Sequence, residues 1–123
     1  MLKIGDSVSI ERGYSEQDIS AFCTLANIER NTLQYLPAPL INSLFTDMLG
    51  TKLPGPGTMY MKQESEYLDQ VPLDTKLTAK VEVIRIRPEN GLVNLRTSCL
   101  DETGKLYSDG EALVLFPPCK TES

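Results

Sequence analysis

The chemistry open to this chain is limited first by histidine, which is absent from its 123 residues. A Ser-His-Asp triad, a cysteine nucleophile paired with histidine, a zinc site that uses imidazole and an imidazole general base are therefore all excluded. Cys23, Cys99 and Cys119 are odd in number and lie far apart, which indicates reduced thiols in a cytoplasmic protein. Any reaction must rest on carboxylates, amides, hydroxyls or backbone dipoles, and we expect no metal ion and no cofactor.

Charge and hydropathy exclude two further classes of partner. Twelve basic and seventeen acidic residues give a net charge of −5, so the chain repels nucleic-acid phosphates and anionic membranes. No apolar run reaches the roughly 20 residues that a membrane span needs, and the first residues contain no apolar stretch of signal-peptide length. The length predicts a single domain over residues 1–118, followed by a short polar tail at 119–123.

Two predicted helices must position the polar residues. Ser15 begins a sequence that resembles a capping box, and apolar residues at helical spacing then predict a helix over 16–26. The polar, aperiodic segment 27–35 follows, which could be a loop or a continued helical turn. After the Pro-Ala-Pro sequence at 37–39, a broad apolar stripe predicts a second helix over 40–50. This stripe consists of Leu40, Ile41, Leu44, Phe45, Met48 and Leu49.

From residue 58 onward the hydrophobic period changes to two, which is typical of strands. A strand over 58–68, a turn at 72–74 and three further strands follow, and Asn90-Gly91 predicts a hairpin between two of them. The apolar phase switches at Ile84, which predicts a bulge or twist there. With a short opening strand at 8–10, the pattern predicts an α+β fold in which a helix covers one face of an antiparallel sheet.

Several stretches resemble the MaoC-like hydratases, the family of (R)-specific enoyl-CoA hydratases and related acyl dehydratases. The resembling stretches are Lys3-Ile4-Gly5-Asp6, the helix that Ser15 begins, Leu44-Phe45-Thr46-Asp47-Met48-Leu49-Gly50, Leu53-Pro54-Gly55-Pro56-Gly57-Thr58-Met59-Tyr60, Val81-Glu82-Val83 and Gly110-Glu111-Ala112. The resemblance implies a hot-dog fold, in which a long curved sheet wraps around a central helix. It also implies a dimer, formed with a second copy or with another hot-dog chain, that binds acyl thioesters of CoA or acyl-carrier protein near its interface.

The family's catalytic motif, Asp-x-Asn-Pro-x-His, is degenerate in this chain. Its best local match is residues 29–34, where Glu29 stands for the aspartate, Asn31 is kept and Gln34 stands for the histidine. A segment that normally overhangs the site is also shorter here. Because an amide cannot exchange a proton near neutral pH, the substitution at Gln34 forfeits the roughly 10²–10⁴-fold that general acid–base catalysis contributes.

The resemblance assigns roles to other residues as well. The backbone N–H of Ala38, near the start of the central helix, would polarise the thioester carbonyl, and Thr46 would support the catalytic acid. The remaining residues expected to contact the ligand, by lining the acyl tunnel or shaping the pocket, are Leu44, Pro54, Gly55, Gly57 and Tyr60.

Three functions follow from these residues. The first is a hydratase or dehydratase in which Glu29 is the sole proton-transfer group, so that catalysis is weak or absent. The second is a non-catalytic subunit that shapes the acyl site of a heteromeric hot-dog dehydratase. The third is an acyl-CoA thioesterase that uses Glu29 with Gln34 and Thr46.

Overall fold

The structure, a computed structural model, describes residues 2–119 of the chain. The predicted polar tail lies outside the described residues from position 120 onward. Within the described range the chain forms helices, strands and two short 3-10 turns, Arg30–Thr32 and Pro117–Cys119. The helices and strands are, in chain order, β1 Ser7–Arg12, α1 Glu16–Ala26, β2 Tyr35–Leu36, α2 Ala38–Thr51, β3 Met59–Tyr67, β4 Val71–Pro72, β5 Leu77–Arg87, β6 Leu92–Asp101 and β7 Leu106–Leu115.

Five of the strands form one antiparallel sheet in the order β1, β5, β6, β7, β3. Burial alternates along them, as expected of a sheet with one covered face. In β6 the buried residues are Val93, Leu95, Thr97 and Cys99, which alternate along the strand and therefore share one face. This face contributes to the same hydrophobic core as α2, which gives the α+β hot-dog arrangement implied by the resemblance.

The hairpin of β5 and β6 confirms two local predictions. The register between the strands shifts between Val83 and Arg85, which leaves Ile84 as an extra residue without a partner in β6. The side chains that follow Ile84 therefore point to the opposite faces from those that the alternation before it would give. At the turn, Gly91 has a φ of +71°, which glycine adopts readily because it lacks a Cβ. The shift increases the local twist of a sheet that must curve around a helix.

The two helices begin close to their predicted positions. α1 spans the predicted range, and its capping box is complete: Asp18 N–H donates to Ser15 Oγ at 3.1 Å and Ser15 N–H donates to Asp18 Oδ2 at 2.9 Å. α2 begins at Ala38, two residues earlier than predicted, because proline is tolerated in a first turn whose N–H groups lack intrahelical partners. Neither helix in the described part of the chain is long and apolar enough to cross a membrane.

The sequence did not predict the small sheet formed by β2 and β4. Tyr35 pairs with Pro72 and Leu36 pairs with Val71 in antiparallel register. Leu36 and Val71 are buried, so this pair closes the core beside the first turn of α2. Strands of two residues have no measurable hydrophobic period, which explains why the polar segment before α2 reads as a loop.

Candidate functional site

A cavity of about 430 Å³ opens where α2 begins, and we refer to it as the α2 cavity. Its walls come from the segment before α2, the first turn of α2 and the connection between β3 and β4. The buried side chains of Leu36, Ile41 and Val71 give it an apolar lining, and polar groups complete its surface. The residues that line it are Thr32, Leu33, Gln34, Tyr35, Leu36, Pro37, Ala38, Ile41, Tyr67, Asp69, Gln70 and Val71.

The first turn of α2 contributes one free N–H group to this cavity. Pro37 is the N-cap and Pro39 the second helical residue, and neither has an N–H. The Leu40 N–H donates to the Pro37 carbonyl at 3.0 Å, whereas the Ala38 N–H donates to no acceptor among the described residues. Because a helix N-terminus carries a partial positive charge, the Ala38 amide is suited to bind a carbonyl oxygen or a developing oxyanion.

Gln34 and Thr32 also line the cavity, at the positions where the family motif has histidine and proline. The Thr32 hydroxyl donates to the Glu29 carbonyl at 2.7 Å, so its proton is already engaged. The exposed Gln34 amide can donate and accept hydrogen bonds, but it cannot carry a proton between two atoms of a substrate. Gln34 therefore offers the cavity hydrogen-bonding groups but no group for acid–base chemistry.

Glu29 and Asn31 are not among the residues that line the cavity. Glu29 precedes the 3-10 turn Arg30–Thr32, and both Glu29 and Asn31 are exposed. Arg30 fixes this turn to α1, because its guanidinium donates to both carboxylate oxygens of Glu16 at 2.6 Å. Of the two residues predicted to replace the catalytic dyad, the structure thus brings Gln34, but not Glu29, to the Ala38 amide.

The residues predicted further along α2 lie away from the cavity. The Thr46 hydroxyl donates to the Asn42 carbonyl one turn earlier, at 3.2 Å, and the Leu44 side chain is buried in the core. The segment from Pro54 to Gly57 follows the other end of α2, where the Gly55 N–H donates to the Leu49 carbonyl at 3.1 Å. A 14-residue helix is about 20 Å long, so this loop is far from the Ala38 amide.

Tyr60 belongs to a polar network between β3 and β6 that the sequence did not reveal. Its hydroxyl donates to Gln63 Oε1 at 3.1 Å, and Gln63 Nε2 donates to Thr97 Oγ1 at 3.0 Å and to Ser65 Oγ at 2.9 Å. Burial raises the pKa of Tyr60. Tyr60 is thus fixed in a network instead of lining the α2 cavity.

A shallow groove adjoins the α2 cavity on the side of this network. It is lined by Ala38, Pro39, Asn42, Gln63, Ser65 and Tyr67. Two of these residues, Ala38 and Tyr67, line both depressions, so the free amide lies where they meet. Asn42 Oδ1 is buried and has no hydrogen-bond partner among the described residues. The groove is therefore a polar extension of the site along β3.

Asp69 is the other feature of the cavity that the sequence analysis missed. It follows β3, and its Oδ2 accepts a hydrogen bond from Lys105 Nζ at 2.7 Å. This interaction, together with the N–H of Gln70, holds the pKa of Asp69 below its usual value. No hydrophobic pattern marks Asp69, and only the pairing of β2 with β4 brings it to the cavity.

Comparison with known proteins identifies relatives along nearly the whole chain, although no protein-family model matches it. The (R)-specific enoyl-CoA hydratase of Rhodospirillum rubrum is 32% identical over 129 residues, covering 94% of this chain and 89% of that protein. The structure of the (R)-hydratase of Aeromonas caviae matches with a TM-score of 0.84 at 26% identity, covering 94% of this chain and 98% of that one. The ChsH1–ChsH2 complex of Mycobacterium tuberculosis shares the fold, with a TM-score of 0.78 at 11% identity over 94% of this chain and 99% of that one.

Proposed function

The chain belongs to the family of (R)-specific enoyl-CoA hydratases, and on that basis we propose that it binds an acyl thioester in the α2 cavity while hydrating enoyl-CoA weakly or not at all. The observation that carries this proposal is the free Ala38 amide in a cavity with an apolar lining. The amide would bind the thioester carbonyl, and the acyl chain would lie against Leu36, Ile41 and Val71. A volume of about 430 Å³ is in the range of small-molecule sites.

The same cavity contains no imidazole, the side chain whose ordinary pKa lies nearest neutrality, to carry a proton during hydration. Water addition requires that a proton leave the water and that another reach the α-carbon, which in practice needs a group with a pKa near neutrality. The position of the family's histidine holds Gln34, and the chain contains no histidine elsewhere. The one carboxylate in the lining, Asp69, is stabilised in its ionised form. Binding without efficient turnover follows from this set of residues.

In this proposal the chain acts together with a second hot-dog chain, which is either another copy or a different subunit. β3 lies at one edge of the sheet, and none of the described strands pairs with its outer side. Met59 and Met61 on this strand are 58% and 53% exposed. Because an edge strand with exposed apolar side chains favours pairing with another chain, β3 is the expected contact. A subunit that binds the ligand without converting it suits a heteromeric dehydratase.

The cysteines support a cytoplasmic location within the same proposal. Cys23 and Cys99 are buried as free thiols. Burial raises the pKa of the Cys99 thiol to about 11, so it stays protonated and unreactive at neutral pH. Free buried thiols are typical of proteins that fold in a reducing compartment.

Calorimetric titration with butyryl-CoA, a saturated thioester that cannot be hydrated, tests the proposal, and CoA without an acyl group is the control. Burial of the acyl chain contributes about 0.8 kcal/mol for each CH₂, so we expect butyryl-CoA to bind at least about tenfold more tightly than CoA. With crotonyl-CoA we expect turnover at least about 100-fold below the 1–10³ s⁻¹ of ordinary enzymes. Equal affinity for butyryl-CoA and CoA would disprove binding in the cavity, and ordinary turnover would disprove the loss of catalysis.

A further inference from the structure

One carboxylate that lines the α2 cavity, that of Asp69, does not belong to residues 29–34, which carry the degenerate motif. Asp69 is the only acidic residue among the described residues that line the cavity, whereas Glu29 does not line it. We propose that Asp69, rather than Glu29, is the carboxylate that orients water in this site. The inference rests on the proposed function, because it assigns a role within the same acyl-thioester cavity.

The register of the small sheet supports this assignment. Tyr35 lies opposite Pro72 and Leu36 lies opposite Val71. The pairing ends there, because Ala38 begins α2, and Asp69 lies two residues before Val71 on the facing segment. Asp69 and Ala38 both line the α2 cavity. The short pair of strands therefore joins the segment that carries Asp69 to the segment that leads into α2.

The Asp69 side chain is 54% exposed, and two hydrogen bonds hold it in place. Lys105 Nζ donates to Oδ2 at 2.7 Å, and the Gln70 N–H donates to Oδ1 at 2.8 Å. An ionised carboxylate has about four lone-pair sites, so these two hydrogen bonds leave acceptor sites free for water. Because the same contacts keep the pKa of Asp69 low, it acts as a hydrogen-bond acceptor at neutral pH and not as a proton shuttle.

The missing component is then the proton carrier at position 34. In hydration, the π bond between the α- and β-carbons of the enoyl thioester breaks as the water oxygen bonds to the β-carbon. One water proton leaves, and a proton is added to the α-carbon. Asp69 can align the water, but Gln34 can neither accept the first proton nor deliver the second. An imidazole at position 34 could do both, and the reaction would need no reactant besides water. The substitution Gln34→His should therefore create hydratase activity that depends on Asp69.

The experiment measures crotonyl-CoA hydration and butyryl-CoA binding for the full chain and for a series of variants. We expect Gln34→His to raise kcat/KM by about 100-fold or more over the wild type. Adding Asp69→Asn should remove most of that gain, whereas adding Glu29→Gln should keep it. The control Asp74→Asn changes an exposed carboxylate beyond β4 that lines neither depression, and it should also keep the gain.

A further variant separates a role in orienting water from a role in folding. Lys105→Met in the Gln34→His background leaves Asp69 in place but removes the hydrogen bond that holds its Oδ2. The kcat for crotonyl-CoA should then fall while the dissociation constant for butyryl-CoA and the thermal midpoint stay near those of Gln34→His, a split that a merely structural contact would not cause. An unchanged kcat would overturn the assignment of Asp69.

Three results are informative about the series as a whole. Loss of the gained activity with Glu29→Gln but not with Asp69→Asn overturns the inference. So does a Gln34→His variant that binds butyryl-CoA like the wild type and yet gains no activity. Failure of the wild type to bind butyryl-CoA instead overturns the proposed function, and the inference falls with it.

Discussion

Replacing Ala38 with proline tests the amide on which the proposed binding site depends. Proline has no N–H, and its fixed φ suits the first position of a helix, which is the position of Ala38. The preceding residue, Pro37, already has the extended backbone that a following proline requires, with φ −72° and ψ 144°. No described acceptor receives a hydrogen bond from the Ala38 N–H. The substitution therefore removes one donor from the cavity and leaves α2 intact.

The size of the effect follows from the type of hydrogen bond that is lost. A neutral hydrogen bond contributes about 0.5–1.5 kcal/mol net, so the dissociation constant for butyryl-CoA should rise about 2- to 12-fold in Ala38→Pro. Pro37 and Pro39 flank the site and carry no N–H, so neither can replace the lost donor. Removal of an oxyanion donor lowers kcat by about 10²–10³ in enzymes. Any residual turnover should therefore fall more than the affinity does.

Calorimetry with butyryl-CoA measures the change, with Thr51→Ala as the matched control. Thr51 is at the opposite end of α2, where its hydroxyl donates to the Asp47 carbonyl at 2.7 Å, so its loss should not alter affinity. Thermal unfolding verifies that both variants are folded. If folded Ala38→Pro binds butyryl-CoA as tightly as the wild type, the amide does not bind the thioester and the reasoning is refuted.

Three further predictions concern the scaffold. Gly110→Ala should lower the free energy of unfolding, measured by urea denaturation, by about 1–3 kcal/mol, because the added Cβ would collide with the Glu64 carbonyl oxygen. The control Gly13→Ala should change this free energy little, because its added Cβ meets nothing within 4 Å. Similar losses for both variants would contradict the packing of β7 against β3. Asp101 has a pKa below its ordinary 3.8, chiefly through the hydrogen bond from the Thr103 hydroxyl, so its stabilising effect is present above that pH and is lost as the pH falls below it. The thermal midpoint of the wild type should thus exceed that of Asp101→Asn at neutral pH and converge with it in acid, and a constant difference would argue against the shift. Cys99 should resist alkylation at pH 8 in the native protein and react once urea unfolds it, because burial raises its pKa to about 11.

The fold was predictable because its large elements have long, regular patterns. Five of the six apolar residues in the predicted stripe of α2 are buried and the sixth, Leu40, is partly buried, so the central helix is evident from the sequence. The phase switch at Ile84 likewise predicted the register shift in β5, since an additional residue moves every later side chain to the other face. The β2–β4 pair had no such signal, because two residues cannot establish a period.

The candidate site was only partly predictable for the same physical reason. The resemblance to the hydratase family assigned roles to Gln34 and Ala38, and both line the cavity. It also selected Glu29, but a 3-10 turn follows Glu29 directly, and the residue is exposed outside the lining. Asp69 is 35 positions after Gln34, and the sequence gives no sign of the short strand pair that joins their segments. A resemblance carried by local motifs therefore finds site residues on one segment and misses those that tertiary pairing supplies.

In the proposed site, binding and catalysis depend on different parts of the structure, so that one could persist without the other. The Ala38 amide is positioned by α2, whose first turns are anchored by buried Ile41 and Phe45, and every residue except proline would keep a backbone N–H at that position. Position 34 lies on an irregular segment beside a two-residue strand, and its side chain is exposed. A substitution there costs the core nothing, so the proton carrier can be lost while the fold, the apolar lining and the helix N-terminus are retained. The wild-type chain should accordingly bind acyl thioesters with an affinity that Gln34→Ala changes less than Ala38→Pro does, and the reverse order would show that recognition depends on the loop and not on the helix.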